Sequence, residues 1–195
     1  STTPNELSVS PPALPLVLMA GQSVQFPVTF TPVLAATVIG TLQIDTTAVP
    51  LLGTGTAPPA MPSYTLSGPS GNVSPASQAN VSLTLANTYP VDLQGVLTLT
   101  TSGTYGTDPA VQFSTGSSQG NRTVDFTIPA NTTSANFVGQ GPNILVQTGT
   151  VAETVTLTPS FQTTAGVNLT PTSPTSLQFT IPASAPVIES LTVTN

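Results

Sequence analysis

Arg122-Thr123-Val124-Asp125-Phe126-Thr127-Ile128-Pro129 carries the pattern that decides the fold. Val124, Phe126 and Ile128 alternate with Thr123, Asp125 and Thr127, so a pleated strand sends three apolar side chains to one face and three polar ones to the other. A helix would scatter the same residues around its axis. The period of two recurs in both directions along the chain. Val81, Leu83 and Leu85 alternate, as do Leu97 and Leu99; Val155 and Leu157 follow, then Leu177, Phe179 and Ile181. Near the start, Val24, Phe26, Val28 and Phe30 face one way with Gln25, Pro27 and Thr29 between them, and Leu14, Leu16 and Leu18 share that spacing. Pro27 lacks a ladder donor and predicts an edge strand or bulge. Met19-Ala20-Gly21-Gln22 reads as a turn. Leu42 and Ile44 predict another strand, and Val49 to Leu52 a short apolar one before Gly53. Gly, Pro, Asn and Ser clusters separate these runs, and no stretch shows helical apolar spacing with caps. The expected fold is all-β: tandem immunoglobulin-like β-sandwiches joined by Pro-rich connectors.

Ala57-Pro58-Pro59-Ala60-Met61-Pro62 is the principal connector, because proline fixes φ and keeps the preceding residue extended. The expected organisation is a partial immunoglobulin-like module over 1–58, a linker over 59–62, and a sandwich of roughly seven to nine strands over 63–183. Residues 184–195 are expected to hold a second connector, Ser184-Ala185-Pro186, and the start of a further strand. That strand, Val187 to Asn195, either opens another module or closes the middle sandwich.

Charge is nearly absent. Arg122 is the single base against seven acids, which gives a net charge of −6 and a charged fraction of 4%, where an ordinary soluble domain has about 25%. With no cluster of Lys or Arg to displace phosphate counterions, nucleic acid is excluded as a partner, and an anionic membrane surface for the same reason. No apolar run is long enough for membrane insertion by this segment. Leu14 to Ala20 contains Pro15 and lacks a basic flank, so it is no signal peptide. Ser and Thr, about three residues in ten, supply solubility. Regular spacing and a hydrophobic content of 38% argue against a disordered stalk. Without Cys, each module is held by packing alone.

Chemistry has little to work with. The chain has no His and no Cys, which removes Ser-His, Cys-His and thiolate catalysis and leaves only carboxylates for a metal. The acids Glu6, Asp45, Asp92, Asp108, Asp125, Glu153 and Glu189 are scattered and read as solvated surface groups rather than a glycosidase pair. The loop Thr104-Tyr105-Gly106-Thr107-Asp108-Pro109 has one carboxylate for calcium, and Asp before Pro is more simply a turn. Gly53-Thr54-Gly55 ends a strand and opens no helix, so it is no phosphate loop. Arg122 is expected to pair with Asp125 or another acid across a strand. Tyr64, Tyr89 and Tyr105 offer either a sugar-stacking platform or corner and core residues. Asn72, Asn80, Asn121, Asn131 and Asn168 begin Asn-x-Ser/Thr triplets, which arise by chance in a chain so rich in these residues. No catalytic, cofactor-binding or metal-binding residue is assigned, no cofactor is expected, and the chain is expected not to be an enzyme.

The order of pieces before the connector resembles a known module. Ala20-Gly21-Gln22-Ser23-Val24, Val28-Thr29-Phe30-Thr31-Pro32, Gly40-Thr41-Leu42-Gln43-Ile44 and Val49-Pro50-Leu51-Leu52-Gly53-Thr54-Gly55 are similar to the second half of the ASH (ASPM–SPD-2–Hydin) type of immunoglobulin-like domain, over about residues 7–57. In bacteria that type occurs in choice-of-anchor D surface proteins. The front of the module has no counterpart before Leu7, so either the chain starts within a module or a shortened sandwich is completed by other residues. Val111 to Gly116, Arg122 to Pro129 and Gln147 to Ala152 look like repeated β-modules of large bacterial surface proteins. The resemblances imply a structural or adhesive spacer in an exported bacterial surface protein, extracellular, at the cell surface or periplasmic, and without glycans. The alternatives are a binding module for a cell-surface polysaccharide or a protein, and an accessory domain of a larger enzyme.

Overall fold

The computed structural model describes residues 6–13, 15–32, 35–114 and 121–183. Leu14, Gly116 and the expected connector and strand at 184–195 lie outside the described residues. The chain divides into two compact units, one over Ser1–Pro59 with Ala165–Val167 and one over Ala60–Thr164 and Asn168–Asn195. The described residues form strands, turns and loops, with no helix among them. The fold is all-β.

Unit 1 contains β1 (Leu7–Val9), β2 (Val28–Phe30), β3 (Thr37–Ile44) and β4 (Thr47–Thr54). They form two two-stranded antiparallel sheets, β1–β2 and β3–β4. The β3–β4 hairpin turns at Asp45-Thr46, where Asp45 adopts φ 50°, a left-handed conformation that Asp tolerates in tight hairpins. Gly53 leaves room for the Phe30 ring, which a Cβ there would meet at 2.7 Å. Val38 is buried, whereas Leu42 and Leu51 on the same face are half-buried.

Two expectations for this unit are corrected. Only Val28–Phe30 of the run from Val24 joins a ladder, because β1 offers just three partners and Pro27 has no N–H. The Pro27 carbonyl still accepts the Ser10 N–H at 3.1 Å. Leu16 and Leu18 lie in no strand and are 41% and 48% exposed; Pro11, Pro12 and Pro15 strip the preceding segment of ladder donors. Met19 to Gln22 is a turn as the sequence indicates, with the Gln22 N–H donating to Met19 O at 3.0 Å and Gly21 at φ 85°.

The described residues of unit 2 form a β-sandwich of ten strands: β5 (Tyr64–Ser67), β6 (Gly71–Asn72), β7 (Gln78–Leu85), β8 (Leu93–Ser102), β9 (Gln112–Phe113), β10 (Thr123–Ile128), β11 (Asn136–Phe137), β12 (Ile144–Gln147), β13 (Glu153–Thr163) and β14 (Leu177–Ile181). One more strand forms than the upper expectation, since β6, β9 and β11 are two-residue pairings that no periodicity reveals. One sheet runs β11-β10-β8-β13-β14-β6 and the other β5-β7-β12-β9. All pairs are antiparallel except β14 with β6, which is parallel through Phe179↔Gly71 and Thr180↔Asn72.

The core follows the alternation. Val124, Phe126 and Ile128 are buried while Thr123, Asp125 and Thr127 are exposed. Val81, Leu83, Leu85, Leu97, Leu99, Val155, Leu157, Phe179 and Ile181 all point inward and are at most 2% exposed. At the centre, β10, β8 and β13 place Phe126, Gly95 and Phe161 side by side. The two rings meet edge to face at 5.5 Å, and Tyr64 from the opposite sheet packs on Phe161 at 4.9 Å. A Cβ on Gly95 would overlap the Ser160 carbonyl and the Phe126 ring. Substituting Gly95→Ala is therefore expected to cost unit 2 about 3 kcal/mol through overpacking. The outward Thr127→Ala should change stability by less than about 0.5 kcal/mol. Urea titration, comparing midpoints at unchanged slope, checks both.

Candidate functional site

Two regions of unit 2 hold its polar chemistry. The first is one end of the core. Alternation carries Thr101 inward in step with Leu97 and Leu99, Arg122 in step with Val124, and Glu153 in step with Val155 and Leu157. Arg122 donates from Nη1 to Thr101 Oγ1 at 3.0 Å and from Nη2 to the Asp108 carbonyl at 2.7 Å. The expected pairing with Asp125 is corrected: Asp125 lies on the opposite, solvent-facing side of β10, where the strand's own pleat puts it.

Asp108 is buried, which corrects its reading as a solvated acid. Its Oδ1 accepts the Ala110 N–H at 2.9 Å, an Asx turn across Pro109. Its Oδ2 accepts the N–H groups of Thr150 at 2.8 Å and Val151 at 3.1 Å. Gly149 makes room for the carboxylate, which a Cβ there would overlap. The side chain thus ties the 104–111 loop to the 148–151 loop. The Ala110 N–H foremost, then those of Thr150 and Val151 and the Arg122 charge, hold the carboxyl below its ordinary pKa against the opposing effect of burial. Both oxygens face N–H donors, so the carboxylate serves the fold in the place where a calcium ligand was considered.

Glu153 is the second buried acid, 3% exposed, which likewise corrects its reading as a solvated group, and neither of its carboxylate oxygens has a hydrogen-bond partner among the described residues. The signal for its burial was its parity with Val155 and Leu157. Glu6, Asp45, Asp92 and Asp125 remain at or near the surface, Asp92 accepting the Ala130 N–H at 2.7 Å, and Glu189 lies outside the described residues. Among the described residues no three acids come together as a cation site.

The tyrosines share no platform. Tyr64 is half-buried and donates its hydroxyl to Thr175 O at 3.0 Å, Tyr89 is buried, and Tyr105 is 78% exposed. The Asn-x-Ser/Thr residues Asn72, Asn80, Asn131 and Asn168 are exposed, and Asn121 is half-buried.

The second polar region is the outer face of the six-stranded sheet, which sequence reading treated only as solvent-facing positions. Register aligns hydroxyl and amide side chains into cross-strand rows: Thr123, Thr98 and Thr158; Thr100, Thr156 and Gln178; Ser102, Thr154 and Thr180. Beside them is a concavity of about 460 Å³ lined by Gln94, Asp125, Thr127, Gln162, Asn168 and Thr170 among others. Among the described residues Asp125 is the only carboxylate in that lining.

No protein-family model and no curated protein sequence matches the chain. Among solved structures it is similar to the sixth cohesin of scaffoldin B from Acetivibrio cellulolyticus, solved in complex with a Cel5 dockerin, at 13% identity and a TM-score of 0.31, over 62% of this chain and 99% of that one. It is also similar to domains 4 and 5 of the S-layer protein SbsC, at 13% identity and a TM-score of 0.29, over 80% of this chain and 62% of that one. Overlaps of this size place no residue of the chain in a known site.

Two outcomes follow for the end layer. Because the Asp108 pKa is depressed in the folded state, its stabilisation is complete above the unfolded value near about pH 4 and is lost as pH falls through the folded one. Asp108→Asn should lower stability at pH 7 and flatten the loss of stability below about pH 4, as read by urea midpoints across a pH series. Glu153→Leu removes an unpartnered buried carboxylate and should stabilise unit 2 by about 1–3 kcal/mol at pH 7 in the same assay.

Proposed function

We propose that this chain is a non-catalytic load-bearing spacer of an exported, surface-located bacterial protein built from tandem β-modules, unit 1 being the ASH-type module that its sequence resembles. The observation that carries the reading is the parallel pairing of β6 with β14. These strands lie near the two ends of unit 2, so tension applied through Ala60 and Ala183 pulls them in opposite directions along their length. Their hydrogen bonds, with the Val73 N–H to Thr180 O at 2.8 Å, are then loaded together in shear rather than opened one at a time. Behind them, the ten-pair ladder of β8 with β13 holds the sheet. The Pro-rich stretch 57–62 limits hinge motion between modules. A hydroxyl-rich, Lys-free surface suits an element that keeps its neighbours apart without binding nucleic acid or anionic lipid.

A second reading is favoured by the concavity beside the hydroxyl rows: Gln94, Asp125, Thr127 and Gln162 offer donors and acceptors at spacings set by the sheet, which suits a polyhydroxylated ligand such as a cell-surface polysaccharide. Single-molecule force spectroscopy on the chain in a tandem array separates the two. The spacer reading expects one cooperative force peak for unit 2, lowered by Val73→Pro, which deletes the N–H at the shear pair. Extension without a resolved peak would refute it. Saturable glycan-array binding abolished by Asp125→Ala and Gln94→Ala would establish the second reading instead.

A further inference from the structure

The outward edge of β3 is identified by the phase of its ladder. The Gly55 N–H donates to Ala36 O, so β3 residues of the same parity, Val38, Gly40, Leu42 and Ile44, direct their backbone groups to β4. Pro50, which has no N–H, stands opposite Thr41 in agreement with that phase. The N–H and C=O groups of Thr37, Ile39, Thr41 and Gln43 therefore point away from β4. All four residues are exposed, Ile39 by 68%, and β3 has β4 as its one ladder partner among the described residues. This edge has no proline and no charge, the features that normally blunt a free edge. The free edge of β4 is different, because Pro50 interrupts its middle.

We infer that β3 pairs antiparallel with β3 of a second copy of this chain, about a two-fold axis at Gly40. In that register Thr37 lies opposite the partner's Gln43 and Ile39 opposite the partner's Thr41, so every outward N–H and C=O of the four residues is satisfied. Between these pairs, Val38 faces the partner's Leu42 and the two glycines meet at the axis, where strands approach most closely. The strand is complementary to itself: polar opposite polar at its ends, apolar opposite apolar on the inner face, and no charge to oppose a like charge. That self-match favours a second copy over a foreign strand. The product is a four-stranded sheet, β4-β3-β3-β4, with Pro50 on both new edges. It closes as a dimer and does not propagate into a fibre. The inference is independent of the force-bearing and glycan readings of unit 2.

The test uses the full chain. Sedimentation equilibrium should show a concentration-dependent monomer–dimer equilibrium, with Ile39→Lys weakening it at least about tenfold and Ala48→Lys, on the opposite edge, leaving it unchanged. Register is tested separately. An equimolar mixture of Ile39→Cys and Thr41→Cys chains, mildly oxidised, should yield mainly the mixed disulfide, because those positions face each other within cross-linking distance, and the chain has no other cysteine. A monomer at all concentrations overturns the inference. So does a dimer indifferent to Ile39→Lys, or a mixture that cross-links no better than either variant alone.

Discussion

Ten consecutive residue pairs, from Ser102↔Thr154 to Leu93↔Thr163, join β8 to β13 and orient every side chain of both strands at once. A slip of one residue would turn Leu97, Leu99, Val155 and Leu157 to water and bring a row of threonines inside, so the register is held by burial along its whole length. The neighbouring ladders inherit that register. β10 sets Phe126 beside Gly95, and Gly95 in turn admits the ring edges that bind this sheet to Tyr64 on the other. Because a side chain at Gly95 would collide with backbone as well as ring, the centre of the sandwich has little freedom to repack.

Among the described residues the buried polar side chains, Asp108, Thr148, Glu153 and Thr163, lie where the ladders end. Asp108 is buried yet fully engaged, its carboxylate collecting three N–H groups that the two loops leave without strand partners. Arg122 completes the arrangement through a carbonyl and a hydroxyl, in place of an ion pair at the surface. Glu153 has no such compensation among the described residues, although it sits at the same end of the core. One end layer thus contains both a satisfied and an unsatisfied buried acid, and the difference lies in whether a loop supplies donors.

The two units manage their strand edges differently. In unit 2, among the described residues, the two-residue strands β6 and β11 stand at the ends of the larger sheet. In unit 1, β3 and β4 are eight residues each and form a two-stranded sheet among the described residues, and an isolated pair of strands is marginal in water. Its apolar side chains are correspondingly only part-covered, with Ile39 and Leu52 68% and 74% exposed.

The sequence alone determined the all-β character and the inward residues of the long strands, because period-two alternation is a local property that each strand writes out for itself. It also carried the Met19–Gln22 turn in its glycine, whereas Glu153 was read as solvated although its parity with Val155 sends it inward. Tertiary structure alone decided the rest. The two-residue strands are too short for any period. The run from Val24 to Phe30 was cut to three ladder residues by the length of its partner β1. Arg122 was sent to Asp108 and not to Asp125 because the pleat puts those acids on opposite sides. Two of the three donors that hold the Asp108 carboxylate, the N–H groups of Thr150 and Val151, come from 42 and 43 positions away, and contacts across such distances arise only once two sheets have closed on one another.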